Sequence, residues 1–103
     1  MQRTAKDRFS RALRRLREWC RWHRHDPLET QHRTLVQKIR GHYAYYGIPY
    51  NLERLSAFFY RATLAWKVAL ARRSQRWMTW ATMNVILRRF PLPRPRIVHP
   101  YAT

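Results

Sequence analysis

NLERLSAFFYRATLAWKVALARR, residues 51–73, contains neither glycine nor proline and spaces its apolar side chains for a helix rather than a strand. At about 100° per residue, Leu52, Leu55, Phe59, Ala62, Trp66 and Ala69 fall along one side, and Tyr60, Leu64, Val68 and Ala71 along the far side. A narrow basic row, Arg54, Arg61 and Arg72, runs between the two stripes. A helix with one side in water needs only one apolar stripe. Two stripes predict either the central helix of a bundle or a helix that packs on something outside the chain. Asn51 is placed to cap its start.

Working outward, the segment before it begins with a capping-box pattern: Asp26 as N-cap, Pro27 at the first helical position and Glu29 beyond it. Leu28, Leu35, Ile39, Tyr43 and Tyr46 then form the expected buried face, and Gly47, Ile48 and Pro49 read as a left-handed cap and a stop. Gly41 inside this helix costs about 1 kcal/mol relative to alanine, which predicts a close helix crossing or backbone contact there. The first helix is expected over about residues 4–23. Phe9, Ala12, Leu13, Leu16, Trp19 and Cys20 make its core stripe. The rest of its circumference carries Arg3, Lys6, Arg8, Arg11, Arg14, Arg15, Arg17, Arg21 and Arg24, with Asp7 and Glu18 among them.

After the central segment, Thr79 can cap a short fourth helix with Trp80, Met83, Leu87 and Phe90 inward. Pro91, Pro93, Pro95 and Pro100 then enforce an extended tail with Arg94 and Arg96 between them. The tail reads as a terminus laid over the bundle or as a linker, and on pattern alone it also matches a ligand of SH3-type domains. The expected fold is therefore all-α, a small three-to-four-helix bundle over residues 1–90 with an extended Pro/Arg-rich tail over 91–103.

Charge narrows the function. The chain carries 22 Lys and Arg against 5 Asp and Glu, a net charge of +17, and most of that is arginine. A hydrophobic fraction of 46% is that of a folding protein, so the charge is not a mark of disorder. Self-repulsion of this size does nothing for a fold and implies a polyanionic partner. Arginine suits one, because its guanidinium grips phosphate with paired hydrogen bonds and stacks on bases. Trp66, Trp80, Phe59 and Phe90 are expected in the core. Trp22, Tyr45 and Trp77 fall off the apolar stripes beside Arg21 and Arg24, Arg40, or Arg73 and Arg76, where they suit base stacking or surface packing.

Other classes find little support. Carboxylates are too few for a two-metal centre, no glycine-rich phosphate loop is present, and Ser10, Ser56 and Ser74 lack a nucleophile context, so no enzyme activity is expected. Cys20 shares a face with His23, near His25 and His32, but it lies on the core stripe and a structural zinc site uses more thiolates. No metal or cofactor is expected. A single cysteine rules out an intrachain disulfide and fits a reducing compartment. No secretory signal or spanning segment is read, and a cytoplasmic, bacterial-type setting is expected. The Arg-rich start has some likeness to an organelle transit peptide, but Asp7, Glu18 and its own core stripe count against that reading. A membrane-surface helix would share the amphipathic pattern of the first helix, yet that stripe has a bundle to enter.

Three stretches carry a family resemblance. Ile39-Arg40-Gly41-His42-Tyr43-Ala44-Tyr45-Tyr46-Gly47-Ile48 resembles the R-G-x-x-x-Y-Y-G stretch of the group II intron maturase-specific domain. Arg72-Arg73-Ser74-Gln75 followed by Thr79-Trp80, and then Arg89-Phe90-Pro91-Leu92-Pro93-Arg94-Pro95-Arg96-Ile97, are similar to that domain's C-terminal portion. The likeness extends over roughly residues 8–100. It implies a helical, thumb-like domain of a reverse transcriptase that grips structured intron RNA and assists its splicing. The fingers and palm with their catalytic aspartates would precede Met1, and the endonuclease domains of the family would follow Thr103; neither polymerisation nor DNA cleavage is expected of this chain. The Trp77-Met78 pair stands where relatives tend to carry basic residues.

RNA contacts are expected from Arg11, Arg14, Arg15, Arg17, Arg21, Trp22 and Arg24 on the first helix, from Arg40 and Tyr45 on the second, from Arg54, Arg61, Arg72 and Arg73 on the third, and from Gln75 and Arg76 after it. The alternatives are a protein-interaction piece that docks on a separate reverse transcriptase palm or on itself, and a remnant without function.

Overall fold

Among the described residues, four helices form the regular structure: α1 (Thr4–Trp22), α2 (Leu28–Tyr46), α3 (Leu52–Ser74) and α4 (Trp80–Arg89). The computed structural model describes residues 4–46 and 52–95, with side chains over 8–44 and 52–95. No strand occurs among the described residues, so the fold is a small all-α bundle as expected. None of the helices is long and apolar enough to cross a membrane. The Gly47–Pro49 stop, the Asn51 cap, the side chains of Tyr45 and Tyr46, and the tail from Arg96 onward lie outside the described residues.

Contacts at the two ends fix the topology. Near the start of α1, Phe9 meets Phe58 of early α3 edge-on, with ring centroids 5.9 Å apart. At the other end, Arg73 of late α3 donates to the Asp26 carbonyl just beyond α1 at 3.0 Å. Helices α1 and α3 therefore run in the same direction and share the largest interface, with α2 running antiparallel beside both. The α1 stripe enters the core as its periodicity requires: Leu13, Leu16 and Cys20 are buried, with Phe9, Ala12 and Trp19 packed beside them. Burial pushes the Cys20 thiol up to about 12, Lys38 opposing only weakly, so the sulfur is an inert, protonated core group.

The buried side of α3 is rotated slightly from the expected stripe. Leu55, Phe58, Ala62, Thr63, Ala65, Trp66, Ala69 and Leu70 are buried. Phe58 continues the line of Leu55 and Ala62, whereas Phe59 is half-buried beneath the Arg94 guanidinium, 5.3 Å from its ring centroid. Leu52, expected inward, is exposed. The described residues cover the far stripe only in part: Tyr60 and Val68 are exposed, and Leu64 and Ala71 are half-buried.

Polar side chains enter the core from α2, where only apolar ones were expected. Leu35 and Ile39 are fully buried, but so is Gln31, and His42 is buried as well. Gln31 is tolerated because both ends of its amide are satisfied: Nε2 donates to the His23 carbonyl at 2.6 Å and Oε1 accepts from Trp66 Nε1 at 2.8 Å. One side chain thus joins the end of α1, the start of α2 and the middle of α3. The start of α2 also departs from the capping-box expectation. The Asp26 carboxylate accepts from His23 Nδ1 at 2.9 Å, pinning the break between α1 and α2, while the first helical bond runs from the Gln31 N–H to the Pro27 carbonyl. Gly41 corrects a second expectation: a β-carbon built there would meet nothing within 4 Å, so no close crossing among the described residues requires the glycine.

Helix α3 ends in a Schellman motif built without glycine. Gln75 adopts a left-handed φ of 56°, its N–H reaches the Arg72 carbonyl, and the Arg76 N–H reaches the Ala71 carbonyl. Thr79 then caps α4 as predicted, its hydroxyl accepting from the Thr82 N–H at 3.1 Å. Met83 is buried and Leu87 and Phe90 half-buried, but Trp80 turns outward, 38% exposed, and lies on Tyr60. The first tail residues are strapped to the bundle. Leu92 joins the core, His32 Nε2 donates to the Pro91 carbonyl at 2.7 Å, and the Tyr43 hydroxyl donates to the Pro93 carbonyl at 2.9 Å. Burial also raises the Tyr43 hydroxyl pKa, which keeps it a donor.

Candidate nucleic-acid interface

Because α1 buries a narrow stripe and carries arginine around the remainder, its two flanks meet the neighbouring helices as basic grooves. On the α3 side, Arg17 and Arg21 face Arg61 and Arg72 across a floor of Leu64, Ala65, Val68 and Ala69, enclosing about 340 Å³. On the α2 side, Arg8, Arg11, Arg15 and Lys38 surround a hollow of about 370 Å³ that is also lined by Gly41, His42 and Phe58. Among the described residues, no acidic side chain lines either groove. None of these cations has a carboxylate partner among the described residues. A bound anion would offset the mutual repulsion of their charges.

The floors differ in kind. In the α1–α3 groove, Leu64 and Val68 of the far stripe and Ala65 and Ala69 from the buried side form an apolar strip between arginine stems, suited to an aromatic or aliphatic surface bordered by phosphates. In the α1–α2 groove, Gly41 leaves the helix backbone open to close approach. Beside it, the His42 ring is stacked on Phe58 with centroids 3.6 Å apart and planes 5° from parallel. Burial lowers the His42 pKa to about 4, so this ring is a neutral wall rather than another cation near pH 7.

The expected contact residues divide accordingly. Arg17, Arg21, Arg61 and Arg72 come together in one groove, and Arg11 and Arg15 in the other. Arg14 and Arg76 are exposed. Trp22 is bare, 79% exposed, among these arginines. Arg24 turns back to donate to the Arg21 carbonyl at 2.7 Å. Two others are drawn into the fold: Arg73 holds the Asp26 carbonyl and Arg54 lies 5.3 Å from the Phe9 ring; Arg40 is exposed and borders a separate recess with Tyr43, Pro93 and Arg94. Gln75 is the left-handed residue of the α3 terminus. The Tyr45 side chain falls outside the described residues. Arg8 and Lys38 belong with the α1–α2 group although neither was singled out as a contact; Lys38 sits on α2, and only the packing of the helices reveals which face it shares.

No group of His, Cys, Asp or Glu side chains that could hold a metal ion occurs among the described residues. Comparison with models of known protein families, with curated proteins and with solved structures finds no match to this chain.

Proposed function

We propose that the chain is an RNA-binding module of the group II intron maturase type, which grips structured intron RNA and assists its folding and splicing without polymerase activity of its own. The observation that carries this reading is the pair of arginine grooves on either side of α1, whose cations have no carboxylate partner among the described residues. The maturase-like stretches at residues 39–48, 72–80 and 89–97 supply the choice of intron RNA among polyanions, and that choice rests on those residues alone.

The test is binding to a structured RNA as salt is raised. Four arginines in one groove predict a steep log–log dependence, with roughly three or more counterions released. Replacing Arg14, Arg17 and Arg21 together by glutamate should weaken binding by more than about tenfold and flatten that slope, with helicity by circular dichroism unchanged. Affinity indifferent to salt, or equal loss of helicity and binding, would sink the proposal.

One observation favours a second reading. The uncovered stripe of α3, with Tyr60 and Val68 exposed, suits docking on a separate reverse transcriptase palm or on a second copy. Co-elution with a thumbless polymerase would support it; a monomer that ignores the palm would count against it.

A further inference from the structure

The turn between α3 and α4 gathers aromatic side chains that the core does not use. Trp77 is 87% exposed. Trp80 is stacked on Tyr60 with centroids 6.0 Å apart and planes 23° from parallel. The Lys67 ammonium lies 5.5 Å from the Trp77 ring centroid and 5.0 Å from that of Trp80. We propose that this cluster is a binding site for one unpaired nucleotide of RNA, its base stacked on the open face of Trp77 and its phosphate held by the neighbouring cations. The proposal rests on the RNA-binding reading above and adds to it a subsite for a base.

Rings around an ammonium also form the cages that bind quaternary ammonium groups. Here that position is filled by the chain's own Lys67, and a net charge of +17 repels a cationic guest. What remains available is the outer indole face. A flat π-system attached to a negative charge fits it, and base–aromatic stacking beside cations is the general mode of single-stranded nucleic-acid recognition. Arg76, adjacent to Trp77, is exposed and adds a second cation.

The support of the ring strengthens the case. The turn is fastened at both ends, by the Schellman bonds at Gln75 and Arg76 and by the Thr79 cap. Trp77 is therefore presented from a short fixed arch, and little ordering remains to oppose binding. Gln75 stands where a left-handed backbone favours glycine, a strain of the kind found at binding sites.

The experiment compares two RNA hairpins that differ only at one bulged position, adenosine in one and an abasic nucleotide in the other. Both carry the same phosphates, so the arginine grooves contribute equally. The native chain should bind the adenosine hairpin roughly five- to hundredfold more tightly. Trp77→Ala should bind both with the affinity the native chain has for the abasic hairpin, and Trp77→Phe should keep part of the preference. Circular dichroism should report the same helicity for all three proteins. Equal affinity of the native chain for the two hairpins with a steep salt dependence would overturn the base site and leave the grooves standing, returning the aromatic cluster to a protein partner. A preference that survives Trp77→Ala would also overturn it. If neither hairpin binds, or both bind without salt dependence, the RNA-binding reading itself fails and the site with it.

Discussion

On one face of α3, Leu55, Phe58, Ala62, Trp66 and Ala69 are at most 4% exposed; on the opposite face of the same helix, Tyr60 and Val68 are 54% and 44% exposed. The residue types overlap, so hydrophobicity alone does not decide which face is buried. The neighbours do. The inner face meets α1 and α2, whose own stripes need covering. The outer face is bordered by Arg17, Arg21, Arg61 and Arg72, which can neither follow it into a core nor find carboxylates there. The same helix therefore stabilises the fold with one side and presents the α1–α3 groove with the other.

That contrast can be broken most sharply at Trp66. Trp66→Ala should cost about 3–5 kcal/mol in urea unfolding, because it empties the centre of the core and strands the Gln31 amide. Gln31→Leu is next, at about 1–3 kcal/mol, since it leaves the Trp66 N–H buried without its acceptor and the His23 carbonyl without its donor. A gain in stability from Gln31→Leu would show that packing, not hydrogen bonding, governs that joint.

Acid probes the inner face from its other end. An unfolded chain takes up a proton at the histidine near pH 6.5, whereas the folded chain refuses it at His42 until about pH 4. Stability from this group is full at neutral pH and is lost as pH falls through that window, so melting temperature should drop between about pH 6.5 and 4. His42→Phe, which can keep the stack on Phe58, should show a smaller drop. Equal drops in the two proteins would place the acid sensitivity elsewhere. The smallest effect is expected on the outer face. Val68→Ser should change stability by no more than about 0.5 kcal/mol. A cost like that of Trp66→Ala would mean the outer face is covered after all.

Much of this architecture is legible in the residues. Periodicity places α1, α3 and α4, Thr79 is readable as a cap, and the double stripe of α3 announces its uncovered side. The failures share a cause. Gln31 and His42 are polar, and a stripe drawn from apolar residues leaves them outside; their burial depends on partners on other helices, Trp66 and Phe58, that no local pattern specifies. The exchange of Phe59 for Phe58 is a small rotation of α3, set by where α1 and α2 lie against it. Trp80 is drawn outward by Tyr60 and Lys67 from α3. The candidate interface was legible as arginines on the first three helices. Its division into two grooves was not, because spacing along a helix gives a residue's azimuth on that helix and not the helix it will face.

The straps from α2 to the tail bear on the order in which the molecule can be completed. His32 and Tyr43 find their acceptors 59 and 50 residues further along the chain, at Pro91 and Pro93. During synthesis from the N-terminus, α1, α2 and α3 can associate while those two side chains still face water and the hollow that receives Leu92 is open. Closure waits for a segment made of alternate prolines, whose preset backbone loses little freedom on docking. A chain truncated before Pro91 should keep its helices but show faster amide exchange in α2, because the straps at Pro91 and Pro93 and the seat of Leu92 are lost.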